Sequence, residues 1–198
     1  LVESLRNMNR SGLNVMASFI IGFDGETRGT GGRIAEFVED LAIPIAVVNT
    51  LRVLPNTNLW KRLKREGRLI EDESDATTIG GALNYVPTRP EGEILAEFVD
   101  TVNRIYEPLA YLKRVGRYFA AMRPTRAALG LETKNAGRSR KKPAVADALR
   151  FFWRHGVQSD YRARFWRQML GMWRKNPSRL VYYLANCELG ESLFHFRE

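Results

Sequence analysis

The sequence predicts an α/β protein: the last βα units of a parallel sheet lead into a mostly α-helical region. Two short apolar runs, residues 14–21 and 45–51, alternate with helical periodicity over residues 1–70. Beyond residue 90 every periodic segment is helical. The charge also changes sign between the halves. Residues 1–103 carry 11 Lys and Arg against 15 Asp and Glu, a net −4, whereas residues 104–198 carry 20 against 7, a net +13. The overall +9 therefore belongs to the second half, and the two parts present different surfaces.

Each element follows from local pattern. Leu1, Leu5 and Met8 place residues 1–11 in the tail of an amphipathic helix, and Gly12 is suited to stop it. Residues 14–21 read as a strand whose near-continuous apolar character suits a parallel strand covered on both faces. A turn over residues 23–32 follows. Ile34, Phe37, Val38 and Leu41 then mark one helix face. Pro44 opens the second strand, apolar except for Asn49 and Thr50, and a short helix over residues 60–66 ends at Gly67. Residues 70–92 look irregular, with an acidic stretch (Glu71 to Asp75) and Gly80–Gly81. The next helix carries Leu95, Phe98, Val99, Val102, Ile105, Tyr106 and Leu109 on one side, and Pro108 kinks or divides it. Residues 130–143 have a linker's composition. Three more helices are expected near residues 144–155, 160–175 and 177–187, the second with Tyr161, Phe165, Met169 and Trp173 on one face. The domains read as 1–70, 71–130, 131–143 (a basic linker) and 144–198.

Composition narrows the function classes. At 198 residues and 44% apolar content the chain can hold one sizeable domain or two small ones, and no apolar window is long enough to span a bilayer. Cys187 is the single cysteine; it lies on an apolar row with Leu180 and Leu184 and reads as a buried structural thiol in a reducing compartment. His155 and His195 are too isolated to suggest a zinc or iron–sulfur site. The chain begins inside a helical pattern without a start Met or signal peptide, so it reads as the carboxyl-terminal piece of a longer protein. Two strands cannot form a stable parallel sheet alone, and they are expected to finish a sheet or barrel begun upstream.

The run from Ser18 through Ile20 to Gly22 carries the main functional signal. In parallel α/β folds the carboxyl end of a strand is where cofactors sit, and a glycine there lets a flat ligand approach while Ile20 offers it an apolar surface. Backbone groups at that strand end would meet the ligand's polar edges. Without further context the same residues are simply a buried strand and a tight turn. Asp24 and Glu26 read as acids of the following helix start. Asn49, polar in an apolar strand, either contacts the ligand or satisfies a neighbouring loop.

Ser18, Ile20 and Gly22 resemble the fifth barrel strand of radical S-adenosylmethionine (SAM) enzymes, with Ser18 where the pattern has glycine and Glu26 one position late. The segment with Leu54-Pro55-Asn56-Thr57-Asn58-Leu59 and then Glu66-Gly67-Arg68-Leu69 is similar to the sixth strand and following loop of the cobalamin (B12)-binding branch. Asn56 and Asn58 replace a glycine and a proline there. Asn84-Tyr85-Val86-Pro87, Ile105-Tyr106-Glu107-Pro108, the basic Trp-containing residues 162–167 and a close at Leu193 to Phe196 resemble that branch's helical, DUF4070-type extension, in the same order. Its known members include hopanoid methylases. The resemblance implies a partial radical SAM TIM-like barrel and radical-based methyl transfer or related C–H functionalisation. It implies SAM contacts from Ser18, Ile20, Gly22, Asn49 and Leu51. A [4Fe–4S] cluster and cobalamin would be held by residues outside this chain, which would be inactive alone.

The basic, aromatic second half reads first as an aromatic core with a solvated arginine face. An anionic membrane surface is the second reading and RNA the last. Expected partners are the amino-terminal part of the same protein and a small-molecule or lipid-like substrate. The expected location is the cytoplasm, with contact to a membrane surface where the second reading holds. A non-catalytic basic helical module, binding such a surface or RNA, is the alternative from another class.

Overall fold

The computed structural model describes residues 1–70, 83–131 and 145–194. The acidic stretch, Gly80–Gly81 and almost all of the linker lie outside the described residues. The elements are α1 (Val2–Arg10), β1 (Met16–Ile21), α2 (Thr30–Asp40), β2 (Ile45–Thr50), α3 (Asn58–Arg65), α4 (Glu91–Ile105), α5 (Pro108–Ala121), α6 (Val145–Trp153), α7 (Arg162–Lys175) and α8 (Leu180–Phe194). A π-helical turn (Arg154–Gln158) joins α6 to α7, and a 3₁₀ turn (Pro177–Arg179) precedes α8. Pro108 does divide the long helix: Glu107 caps α5 by accepting from the N–H groups of Leu109 (3.1 Å) and Ala110 (2.6 Å).

The two strands pair in parallel, with Met16 opposite Ile45, Ser18 opposite Val47 and Ile20 opposite Asn49. The chain returns from β1 to β2 through α2, and sharp stops at the helix ends make the short connections possible. After α1, Gly12 takes a left-handed φ of 87°; its N–H reaches Asn9 O at 2.8 Å and the N–H of Leu13 reaches Met8 O at 3.1 Å. The same closure recurs at Gly67 (φ 66°) after α3.

Helices cover only one face of the sheet. Ala17, Phe19, Ile21, Ala46 and Val48 point towards α2 and α4, with Phe19 edge-on to Phe37 at 6.0 Å. On the other face Met16 is 68% exposed and Ile20 44%. The expectation of a strand covered on both faces is thus not met by the described residues. Both α2 and α4 lie on the same side, and side chains alternate along a strand.

The core continues from the sheet into the helical region, where Tyr111, Phe119, Phe165, Met172, Tyr183 and Cys187 are buried. Cys187 is fully buried and burial pushes its thiol up to about 12, which fits the inert thiol expected. Two face assignments need correction. On α7 the buried residues are Phe165 and Met172, and Trp173 is 61% exposed. Steps of four residues overshoot a 3.6-residue turn, so a row begun at Tyr161 leaves the core by its third step. On α4 Val99 is exposed, and Ile94, Thr101 and Ile105 face inward.

Arg114, completely buried, joins the two regions. Its Nε donates to Ile43 O (2.7 Å), Nη2 to Ile105 O (2.8 Å) and Nη1 to Glu39 (2.6 Å). Replacing it with Met should cost about 3–5 kcal/mol, because two carbonyls and a carboxylate lose their donor together. Urea unfolding of Arg114→Met checks this; a loss below about 1 kcal/mol would contradict the role.

His155, also fully buried, sits in the π-helical turn with Nε2 3.1 Å from Glu191 and Nδ1 3.3 Å from the Tyr161 hydroxyl. Burial, then Arg154, lowers its pKa from 6.5 to about 4. The folded form therefore binds fewer protons than the unfolded one between these values. The stability contribution is complete above pH 6.5 and is lost as pH falls towards 4. The expected loss is on the order of 2 kcal/mol. Denaturation midpoints across this range should show it, and His155→Gln should flatten the slope.

Candidate functional site

The carboxyl ends of β1 and β2 lie side by side, fixed by the N–H of Leu51 donating to Ile21 O at 2.8 Å. Ser18, Ile20 and Asn49 share the uncovered sheet face, with Ile20 and Asn49 paired in register. Gly22 and Leu51 lie just beyond the strands, and the φ of 115° at Gly22 breaks the alternation there. Three of the five sequence-derived residues therefore share that face, whereas Gly22 and Leu51 are buried at the strand ends against Tyr85. The Ser18 hydroxyl and the Asn49 amide make no hydrogen bond to another described residue. Asn49 thus does not satisfy a described neighbouring loop.

Gly22 is differently committed. Its N–H donates to Glu26 at 2.9 Å and its carbonyl accepts from the Tyr85 hydroxyl. With φ at 115°, an added Cβ would meet the Tyr85 oxygen at 3.2 Å and Ile94 and Leu51 at 3.5 Å. The glycine admits these neighbours, and its backbone groups are spent inside the chain. Burial, then Asp24, pushes the Tyr85 hydroxyl up to about 12, so it stays a proton donor at neutral pH.

Neither acid of the turn starts a helix. The first turn of α2 holds no acid, and its N-cap is Gly29. Glu26 closes the turn through Gly22. Asp24 accepts from Arg68 at 2.8 and 3.0 Å and from Arg62 at 2.8 Å. The Arg68 hydrogen bonds hold its carboxyl below the ordinary 3.8, against a smaller opposing effect of burial. Asp24, Arg62, Leu51, Leu59, Phe23 and Tyr85 line a cavity of about 270 Å³ at the strand ends. Asn84, next to Tyr85 in sequence, bonds both backbone groups of Val53 at 2.9 and 3.0 Å.

Sequence reading missed the Asp24–Arg62–Arg68 cluster and Tyr85. The only signal was that Arg68 and Tyr85 stood in the segments after β2, with nothing to pair them with the turn after β1. No three His, Cys, Asp or Glu side chains converge as metal ligands among the described residues.

Parallel strands ending beside a shared cavity, with a helical region attached, define the class: an α/β protein with a small parallel sheet and mostly helical remainder. The chain belongs to the DUF4070 family, a domain of unknown function whose model matches residues 57–198. It is 38% identical to an uncharacterised methyltransferase of Synechocystis sp. over 201 aligned residues, covering 100% of this chain and 36% of that protein. It is 30% identical to the hopanoid C-2 methylase of Rhodopseudomonas palustris over 167 residues, 84% of this chain and 30% of that protein. The chain thus spans about a third of the length of these relatives, 36% and 30%. No solved structure matches it significantly.

Asp24→Asn should lower stability by about 1–2 kcal/mol at neutral pH, the worth of charge-assisted hydrogen bonds in a partly exposed cluster. Because the folded pKa of Asp24 lies below 3.8, its contribution is complete above that value and is lost as pH falls through the folded pKa. The variant and the natural chain should therefore converge in acid, as pH-dependent unfolding would reveal.

Proposed function

We propose that this chain is the carboxyl-terminal part of a B12-dependent radical SAM methylase and forms one wall of its SAM site. The observation that carries the reading is the uncovered sheet face, where Ser18, Ile20 and Asn49 stand together with their polar groups uncommitted. The names of the two relatives support methyl transfer as the reaction class.

In this reading Ile20 lies against the flat adenine ring, and the buried Gly22 and Leu51 support that contact from the strand ends. The Asn49 amide offers a donor and an acceptor to the ring's polar edge, and the Ser18 hydroxyl faces the sugar or methionine part. SAM bound there supplies the methyl group or the radical precursor. The described residues offer no ligand set for a [4Fe–4S] cluster or cobalamin, and both would be held elsewhere in the full-length protein. The role of this chain is to orient SAM and exclude water. The helices from α4 onward shape the pocket for a small-molecule or lipid-like substrate.

The test is SAM affinity of the full-length protein by calorimetry. Asn49→Ala should weaken binding about tenfold, the worth of one ligand hydrogen bond, and Ile20→Ala by a similar factor through lost apolar contact. Met16→Ala, at the opposite end of the strand, should leave affinity unchanged. Unaltered SAM binding in both Asn49→Ala and Ile20→Ala would sink the assignment.

A further inference from the structure

The second uncommitted surface lies on the hairpin of α6 and α7, far along the chain from the strand ends. On α7, Trp166, Leu170 and Trp173 recur at helical spacing, 39%, 44% and 61% exposed. The adjoining side of the same helix, roughly 100° away, is anchored in the core by Phe165 and Met172. The exposed row is therefore a fixed feature. Trp166 is held rigidly: its Nε1 donates to Gly156 O at 2.9 Å and its ring stacks on Phe152. On α6, Leu149 and Trp153 are exposed one turn apart, 67% and 58%.

Cations border this apolar row. Arg167 and Arg174 each follow a tryptophan by one position, roughly 100° around the helix, and both are exposed. Neither is ion-paired to a described residue, and α7 itself contains no acid. Exposed Trp and Leu along one line, with arginines beside them, match a water–lipid boundary: indole rings settle at headgroup depth while guanidinium groups reach lipid phosphates. RNA would be met by stacking platforms along a cationic groove, whereas here the exposed apolar residues run along one helix with arginines beside them. No helix among the described residues is long and apolar enough to cross a membrane, so the contact would be peripheral.

We infer that the α6–α7 hairpin docks on an anionic lipid surface, inserting Trp166, Leu170 and Trp173 between headgroups while Arg167 and Arg174 bind their phosphates. This goes beyond the SAM-site reading and does not depend on it. A lipid-like substrate would reach an enzyme held this way without leaving the bilayer.

The experiment uses the full-length protein with vesicles of phosphatidylcholine alone or mixed equally with phosphatidylglycerol, at low and at physiological salt. Co-sedimentation with the mixed vesicles and a blue shift of tryptophan emission are expected, because three of the 4 tryptophans lie on this hairpin. Arg167→Gln with Arg174→Gln should weaken binding about 30-fold, from the contribution of each cation near an anionic surface. Leu170→Ser with Trp173→Ala, both at exposed positions, should weaken it and diminish the blue shift. The proposal is overturned by any of three results: no binding to mixed vesicles at low salt; binding indifferent to Leu170→Ser with Trp173→Ala; or retention on single-stranded RNA without vesicle binding. Self-association that shields Trp173 from an aqueous quencher in the absence of lipid would overturn it as well.

Discussion

A buried guanidinium is the polar centre of the contact between α5 and the sheet with its covering helices. Arg114 belongs to α5, yet its three donor groups are used by the carboxyl end of α2, the entry to β2 and the carboxyl end of α4. Carbonyls at the ends of α2 and α4 cannot be satisfied within their own helices. A side chain with five donors in a planar fork can meet such scattered acceptors at once, and lysine cannot. Once Arg114 is in place, the position of β2 and the packing of α4 on the sheet both follow from the placement of α5. Arg117, one turn on, reinforces the clamp through Glu39.

The same logic, a polar side chain meeting backbone groups that the ladder leaves unpaired, recurs around the small sheet. The Tyr106 hydroxyl accepts from Ala46 N at 3.2 Å and donates to Ala46 O at 2.8 Å. The Tyr118 hydroxyl accepts from Val15 N at 2.6 Å and donates to Leu13 O at 3.0 Å. Asn84 does likewise at Val53. A sheet of two parallel strands has too few ladder hydrogen bonds to satisfy its own backbone, and buried backbone groups left unpaired are costly. Residues from α4, α5 and the segment before α4 supply these partners, so the helical region is structurally required by the strands.

This explains what could be read in the sequence and what could not. Both strands, the break at Pro108 and the closure at Gly12 follow from local chemistry: apolar runs, a ring without an N–H, a residue free to take positive φ. The face assignments of Trp173 and Val99 failed because an amphipathic pattern defines a stripe about as wide as its own drift over three turns. Asp24 was misread for another reason. An acid just ahead of a helix usually serves that helix, but here Arg62 and Arg68, on a segment distant in sequence, offer two guanidinium groups. Charge pairing across such a distance leaves no mark in the spacing of either partner.

Gly22 shows where motif reading reaches its boundary. A glycine at a strand end is compatible with a ligand approaching the backbone and equally with a neighbouring side chain doing so. Here Tyr85, Ile94 and Leu51 occupy the space, so glycine is required at this position whether or not SAM binds. The strength of a site assignment therefore lies in which polar groups remain unspent. Gly22 has committed its N–H and its carbonyl; among the described residues Ser18 and Asn49 have committed neither hydroxyl nor amide, although both stand beside apolar residues on a sheet face. An uncommitted amide in an otherwise apolar strand carries a solvation cost once that face is covered. A polar ligand edge would remove that cost and an apolar neighbour would not, which makes Asn49, more than the glycine that first drew attention, the residue on which the SAM-site reading turns.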